Sequence, residues 1–377
     1  MLGSMSSGAS TELRSLAALF LRLGATSFGG PAAHVALMHD EVVRRRGWLG
    51  EREFLDLLSA ANLIPGPNST ELAIHIGYRR AGWPGLLVAG LCFLLPAVVI
   101  TAGLAWAYVA YGERPTAQWL LAGVKPAVLA VVVLAIARLW PVALATQRTR
   151  VLAAAAVVAL WLGAHELAVL AGCGVLAMGW PSGRAAALVL VPAAAAVGAQ
   201  VTLAGLFWVF FRICCTLFGS GYVLLAFLRS ELVVRLGWLT EAQVVDAVAM
   251  GQVTPGPVFS TATFVGYLLA GPAGAVVATA GIFAPAFLFV AVSGPWLERV
   301  RRSPGAMAAL DGVNAASLAL MLVVSCQLAG SAVVDGWSAA IAGVATVALW
   351  RWRCNGSWLV VGGGALGWLG CWLGVAG

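Results

Sequence analysis

Two proline–glycine–proline runs, Pro65-Gly66-Pro67 and Pro255-Gly256-Pro257, interrupt otherwise apolar segments. Small polar residues follow each: Asn68, Ser69 and Thr70 after the first, Ser260 and Thr261 after the second. Proline removes a backbone donor and ends or kinks a helix, yet it suits the first helical position. Each run is therefore read as a break, with a helix restarting at its second proline. The free amides and partial positive charge of a helix start suit an anion. A further break reads Thr26-Ser27-Phe28-Gly29-Gly30-Pro31, and its counterpart at 216–221 keeps two glycines but no proline. Arg22 and Arg212 stand shortly before these glycines, among apolar neighbours. Planar guanidinium forks match the oxygen edges of a tetrahedral oxyanion. The chemistry indicated is the holding and passing of a small oxyanion, and no catalytic residue is assigned.

Other polar groups are secondary to that set. Glu71 and His75 lie at i, i+4 and share one helix face. They are proton-relay candidates, or else Glu71 is an acid satisfied by Arg22 or Arg79; the second half has Thr261 and Val265 there. Lys125, in GVKPAV, adds a positive charge that its counterpart Asn314 lacks. Asn62 and Gln252 precede the two breaks, while His34 and His39 receive no role. Trp48 and Trp238, in the related stretches 41–54 and 231–244, suit a membrane interface as a gate hinge or an interfacial helix. The seven cysteines show no metal-ligand spacing, and the phosphate-cradling, zincin and dinucleotide motifs are missing, so no cofactor or metal is expected.

The elements that must position these residues are membrane helices. The chain is 61% hydrophobic and only 10% charged, against about 25% charged in soluble domains. Its apolar runs recur throughout, which makes it polytopic. The small, polar N-terminus does not read as a signal peptide. The net charge of +7 is explained by loop arginines at a membrane rather than by nucleic acid. Sliding the sequence by 190 residues superposes Phe28, Gly29, Glu41, Arg45, Gly47, Trp48, Glu51, Asp56 and the first proline–glycine–proline run on identical residues. Arg22 then falls on Arg212, and after a one-residue gap Pro96 falls on Pro285. The chain is thus a duplication: a first membrane repeat over 12–180, a linking helix over 181–202 and a second repeat over 203–377.

The expected fold is all-α, with two inverted-topology repeats whose Gly/Pro-interrupted helices meet near the membrane midplane. With every apolar segment spanning and the N-terminus inside, most loop arginines fall inside, as the positive-inside rule asks. Arg44-Arg45-Arg46 falls outside, unless segment 54–79 dips in and returns.

The blocks FLRLGATSFGGP, RRRGWLGEREFLDLLSAANLIPGPNSTELAIHIGY and the later GWL…TPGP repeat resemble the chromate transporter family, in its long-chain, two-domain form. The resemblance implies export of chromate across a bacterial-type inner (plasma) membrane, conferring chromate resistance, with no use of ATP and with sulfate as a structural analogue. By motif matching it carries over Arg22, Phe28, Gly29, Gly30, Pro31, Pro65, Gly66, Pro67, Gly256 and Pro257 as functional or structural residues. The second half departs from the pattern at 219–221, so the two halves are expected to contribute unequally. An outward-moving dianion is helped by an inside-negative potential, with proton exchange as an optional addition. A sulfate or other oxyanion carrier, a membrane-embedded lipid-phosphate enzyme and a passive anion channel are the competing readings. The expected partners are the oxyanion and the lipid bilayer; a homodimer stays open.

Overall fold

The computed structural model describes residues 3–179, 200–218, 221–352 and 356–374. Among these residues the chain is all-helical, with fourteen α-helices. In order they are α1 (Gly3–Thr26), α2 (Pro31–His39), α3 (Glu51–Ala61), α4 (Asn68–Tyr111), α5 (Pro115–Ala143), α6 (Gln147–Trp161) and α7 (Glu166–Gly179). Then come α8 (Leu203–Thr216), α9 (Leu224–Leu228), α10 (Glu241–Val253), α11 (Thr261–Arg302), α12 (Pro304–Ala332), α13 (Gly336–Trp352) and α14 (Gly356–Trp372). The linking helix expected over 181–202 falls outside the described residues, apart from 200–202, which are not helical. Gly219 and Ser220 also lie outside them. Among the described residues four stretches are long and apolar enough to cross a membrane: Asn68–Tyr111, Pro115–Ala143, Val258–Val292 and Pro304–Gly330.

The chain divides into two compact units, and each draws on both halves of the sequence. Unit 1 comprises 1–109, 202–215 and 250–297; unit 2 comprises 110–201, 216–249 and 298–377.

In unit 1 the breaks lie where the sequence places them. α1 stops at Thr26, and Pro31 restarts the chain as α2, which runs into a π-helical turn over Asp40–Arg45. α3 stops before Pro65, and α4 begins at Asn68. At the far ends Arg80 pairs with Glu12 at 3.2 Å, its guanidinium lies 5.4 Å from the Trp48 ring centre, and Arg79 pairs with Glu53. Residues 12, 48, 53 and 80 therefore meet at one level, and the breaks at 27–30 and 65–67 form the tips of two hairpins that enter and return on the same side. Residues 68–80 reach only about 18 Å, short of the roughly 30 Å of hydrocarbon, which fits the path in which 54–79 dips in and returns. On that path Arg14, Arg44, Arg45, Arg46, Arg52, Arg79 and Arg80 would share one face, as the positive-inside rule asks.

α4 also doubles back. At Ala81 the backbone leaves the helix (φ −142°, ψ 26°), and Gly82 takes φ 59°, a region that glycine enters freely. Ala270 and Gly271 repeat this turn in α11, with φ −147° and 61°. The arms pack through glycines: a β-carbon on Gly77 would lie 2.2 Å from the Gly85 carbonyl oxygen, and one on Gly266 would lie 2.3 Å from that of Gly274. Thr263 and Thr279 bridge the second hairpin through their hydroxyls at 2.8 Å. Gly85→Ala, whose methyl would meet the Gly77 carbonyl oxygen at 2.1 Å, is expected to cost about 1–3 kcal/mol through overpacking, read as a lower melting temperature of the detergent-purified protein.

Unit 2 is a helix bundle held by equally close crossings. Gly123 of α5 packs on Gly363 and Gly367 of α14, while Gly312 of α12 packs on Cys173 and Ala177 of α7. Small residues let backbones approach, and dispersion then replaces the hydrophobic drive that lipid does not supply. Gly123 corresponds to Gly312 in the duplication, so the two crossings exchange the roles of the halves.

Candidate anion-binding site

The tips of the first two hairpins meet in unit 1, and His34 joins them. Its Nε2 lies 3.2 Å from the Ser27 carbonyl oxygen and its Nδ1 3.2 Å from Ser69 Oγ. A carbonyl only accepts, so Nε2 carries the proton and Nδ1 accepts from the Ser69 hydroxyl. The Ser27 carbonyl also accepts from Gly256 N at 2.9 Å. One buried histidine thus ties the first break to the helix start after Pro67 and, through Ser27, to the second proline–glycine–proline run. Sequence reasoning assigns His34 no role because Ser69 is 35 residues away along the chain; its apolar neighbours in α2 are the available signal. His34→Ala would strand Ser69 Oγ and weaken the hold on the Ser27 carbonyl. At about 1–3 kcal/mol for a buried polar group left unmade, roughly a tenfold or larger loss of transport is expected with membrane insertion intact; wild-type flux in that variant would refute the link.

The two glycine tips are packed reciprocally. A β-carbon on Gly66 (φ +132°) would lie 2.6 Å from Glu71 Oε1 and 3.2 Å from Cys214 Sγ. One on Gly256 (φ +88°) would lie 3.0 Å from the Ala97 methyl and 3.2 Å from the Gly24 carbonyl oxygen. Gly24 and Cys214 are equivalent positions of the duplication, so each tip rests against the same place on the other half's first helix.

Around the first tip, Pro67 O accepts from Thr70 N at 2.7 Å and from Glu71 N at 3.1 Å, which leaves the Asn68 and Ser69 amides as the leading donors of α4. Asn68 Nδ2 donates to Asn62 Oδ1 at 2.7 Å. Arg22, Thr26, Phe28, Gly29 and Asn62 are exposed, whereas Pro255, Gly256, Pro257 and Ser260 are buried. A face built of Arg, Thr, Asn and bare backbone suits water, not lipid. This exposed face lies beside the first tip; Gly66, Pro67, Ser69 and Thr70 are themselves buried, like their counterparts at the second. Around the second, Thr261 Oγ1 donates to Val258 O at 2.7 Å, and Ser260 Oγ accepts from Thr101 Oγ1 at 3.2 Å and lies 3.5 Å from Thr254 Oγ1.

The remaining residues expected at the site are placed as follows. Arg22 Nη2 sits 2.6 Å from Glu41 Oε1, which also accepts from Arg45, while Glu41 Oε2 accepts from Arg46. Burial pushes the Glu41 carboxyl up, but the hydrogen bonds from Arg22 and Arg46 and the charge of Arg45 outweigh it and hold the group below the usual range. This cluster loses its anion only as the pH falls through the acid range. Thr26 Oγ1 donates back to the Arg22 carbonyl at 2.8 Å. Arg22 and Arg79 are engaged by Glu41 and Glu53, so neither satisfies Glu71. Arg212 is exposed on α8. Lys125 belongs to unit 2, where its Nζ lies 3.6 Å from Asp246 Oδ1. His75 is buried one turn beyond Glu71. No group of three or more metal-ligating side chains occurs among the described residues.

The sequence model of the family described as "Chromate transporter" matches twice, over residues 14–178 and 204–368. A chromate transport protein of Cupriavidus metallidurans is 32% identical over 97% of this chain and 94% of its own length. A probable chromate transport protein of Synechococcus elongatus is 33% identical over 86% of this chain and 85% of its own. A chromate transport protein of Pseudomonas aeruginosa is 32% identical over 94% and 91%. No solved structure gives a significant match. With its apolar spans, the chain is a multi-pass protein of the inner membrane, and it belongs to the chromate transporter family.

Proposed function

We propose that the protein exports chromate from the cytoplasm and so confers chromate resistance, driven by the membrane potential and without chemical conversion of its substrate. The observation that carries this reading is the pair of backbone breaks in the first repeat, joined by His34, supplied with helix-start amides and flanked by an exposed polar face. In this reading Thr26, Ser27, Gly29, Gly30, Pro65, Gly66, Pro67, Asn68, Ser69 and Thr70 line the anion path. Pro255, Gly256, Pro257, Ser260 and Thr261 hold the twin tip, while Arg22 and Arg212 draw the anion toward the tips. A dianion leaving against an inside-negative potential of 100 mV gains about 4.6 kcal/mol, so no ATP is needed. Glu71 and His75 are the proton-relay candidates on this path.

The inverted relation of the repeats is part of the proposal. The second arm of α4 ends near Glu113 and Arg114, whereas α11 ends at Arg299, Arg301 and Arg302. The positive-inside rule then sends these equivalent arms in opposite directions. The reciprocal glycine packing of Gly66 and Gly256 supports the same two-fold relation.

Chromate uptake into inverted membrane vesicles tests the function. Uptake is expected to follow an imposed potential, to saturate, to be competed by sulfate, and to fall strongly in Arg22→Ala or Arg212→Ala. Uptake of labelled sulfate with no movement of or competition by chromate would reassign the substrate. Flux that neither saturates nor shows counterflow would make the protein a channel.

A further inference from the structure

The two equivalent tips differ in one respect that bears on the bound ion. At the second tip the hydroxyls of Ser260 and Thr261 are both engaged. At the first, Glu71 is fully buried with neither carboxyl oxygen hydrogen-bonded, and Thr70 Oγ1 and His75 Nε2 are likewise buried without a partner. Glu71 Oε1 points at the break itself, against Gly66. Thr101, which engages Ser260, is matched on the first side by Val290, so Thr70 has lost the equivalent partner.

A buried acid with both oxygens unsatisfied in the first turn of a helix is waiting for something. In the ionised state the helix start itself compensates it. A dianion arriving at the same helix start would compete with that carboxylate for the same donors, and two like charges in a buried site cost several kcal/mol. A proton on Glu71 removes the conflict and turns an acceptor into a donor aimed at the break. We propose that Glu71 acts as a neutral carboxylic acid that donates a hydrogen bond to the oxyanion, so that the first tip binds the anion and one proton together. This rests on the reading of the first tip as the anion site. Thr70 is the second donor, and the second tip, with Thr261 in place of Glu71, is a structural twin that binds neither ion. Because linkage is reciprocal, the anion tightens proton binding as much as the proton tightens anion binding.

Other titratable groups approach Glu71 from the elements around it. His75 lies on α4 itself, Cys214 on α8, and His34 on α2 reaches Ser69. α11 brings Ala286 and Val290, which are apolar, to the neighbouring Ile64 and Ile74. The test must therefore separate Glu71 from the two histidines and the thiol.

The experiment is chromate binding to the purified protein in lipid nanodiscs, from about pH 8 to about pH 10, where chromate is almost wholly a dianion. The wild type is expected to weaken with rising pH, by up to about tenfold per pH unit for one linked proton. Glu71→Gln, a permanently neutral donor, is expected to bind chromate with an affinity independent of pH. Glu71→Thr, which imports the residue of the second tip, is expected to fold and to bind at least about tenfold more weakly, in proportion to one lost charge-assisted hydrogen bond. A pH-independent wild type overturns the proposal, as does a Glu71→Gln variant that folds but does not bind. A slope that survives in Glu71→Gln also overturns it and assigns the proton to a histidine or the thiol. If Glu71→Gln does not fold, the wild-type slope and Glu71→Thr still decide. A wild type that binds no chromate at any pH refutes the oxyanion site itself, a separate result.

Discussion

Gly256→Ala is expected to lower chromate flux by about a hundredfold or more in a protein that still inserts. Alanine at φ +88° costs about 1–2 kcal/mol in backbone strain. Its methyl would press on the Ala97 methyl at 3.0 Å and the Gly24 carbonyl at 3.2 Å, which adds about 1–3 kcal/mol. A total near 3 kcal/mol is about a hundredfold in the population of the intact tip. Both obstacles sit on helix backbones, so neither can swing aside. Backing away would stretch the Gly256 N to Ser27 O bond, and with it the carbonyl that His34 holds. Gly66→Ala meets the mobile end of Glu71 instead, at 2.6 Å, so its damage falls on the carboxyl's aim more than on the packing. Vesicle uptake normalised to inserted protein measures both, and normal flux in Gly256→Ala would show that the second tip is not needed in this geometry.

The second large effect is a rescue. Lys125 and Asp246 form an ion pair in unit 2, with the Asp246 side chain 4% exposed and that of Lys125 23%. Removing one partner of a buried pair leaves a charge without its counter-charge, at about 3–5 kcal/mol, whereas removing both is far less costly. Lys125→Met should therefore sharply reduce the melting temperature and yield. Asp246→Asn should do so less, because Lys125 reaches solvent, and the double variant should recover most of the loss. Simple additivity across the cycle would mean that the two charges do not depend on each other. The same variants test Lys125 as an anion ligand. That role predicts a stable Lys125→Met protein with weakened binding, and an Asp246→Asn protein that binds more tightly.

Much of this was legible in the chain. Proline and glycine act on their own backbone, so the breaks at 27–30, 65–67 and 255–257 could be read locally, as could the restarts at Pro31 and Asn68. The duplication was legible because rare residues recur in order. Whether a segment spans or returns was not, because it depends on which ends meet. Arg80 with Glu12 and Arg79 with Glu53 are contacts across tens of residues, and the hydropathy of 54–79 is the same in both paths. Arg22 looked free for an anion because Glu41 lies beyond the break, and Lys125 looked free because Asp246 comes from the other half. His34 was passed over for the same reason. A pattern within one helix reports a face, but it does not name what covers that face.

The tip at Gly66 is completed by Cys214, a residue of the other half. About 150 residues of chain are made between the two, which at roughly 5–20 residues per second takes on the order of ten seconds. During that interval the nascent first half holds a short hairpin with a broken backbone and an unsatisfied acid in the bilayer. Completion of the first tip therefore waits for synthesis of the second half.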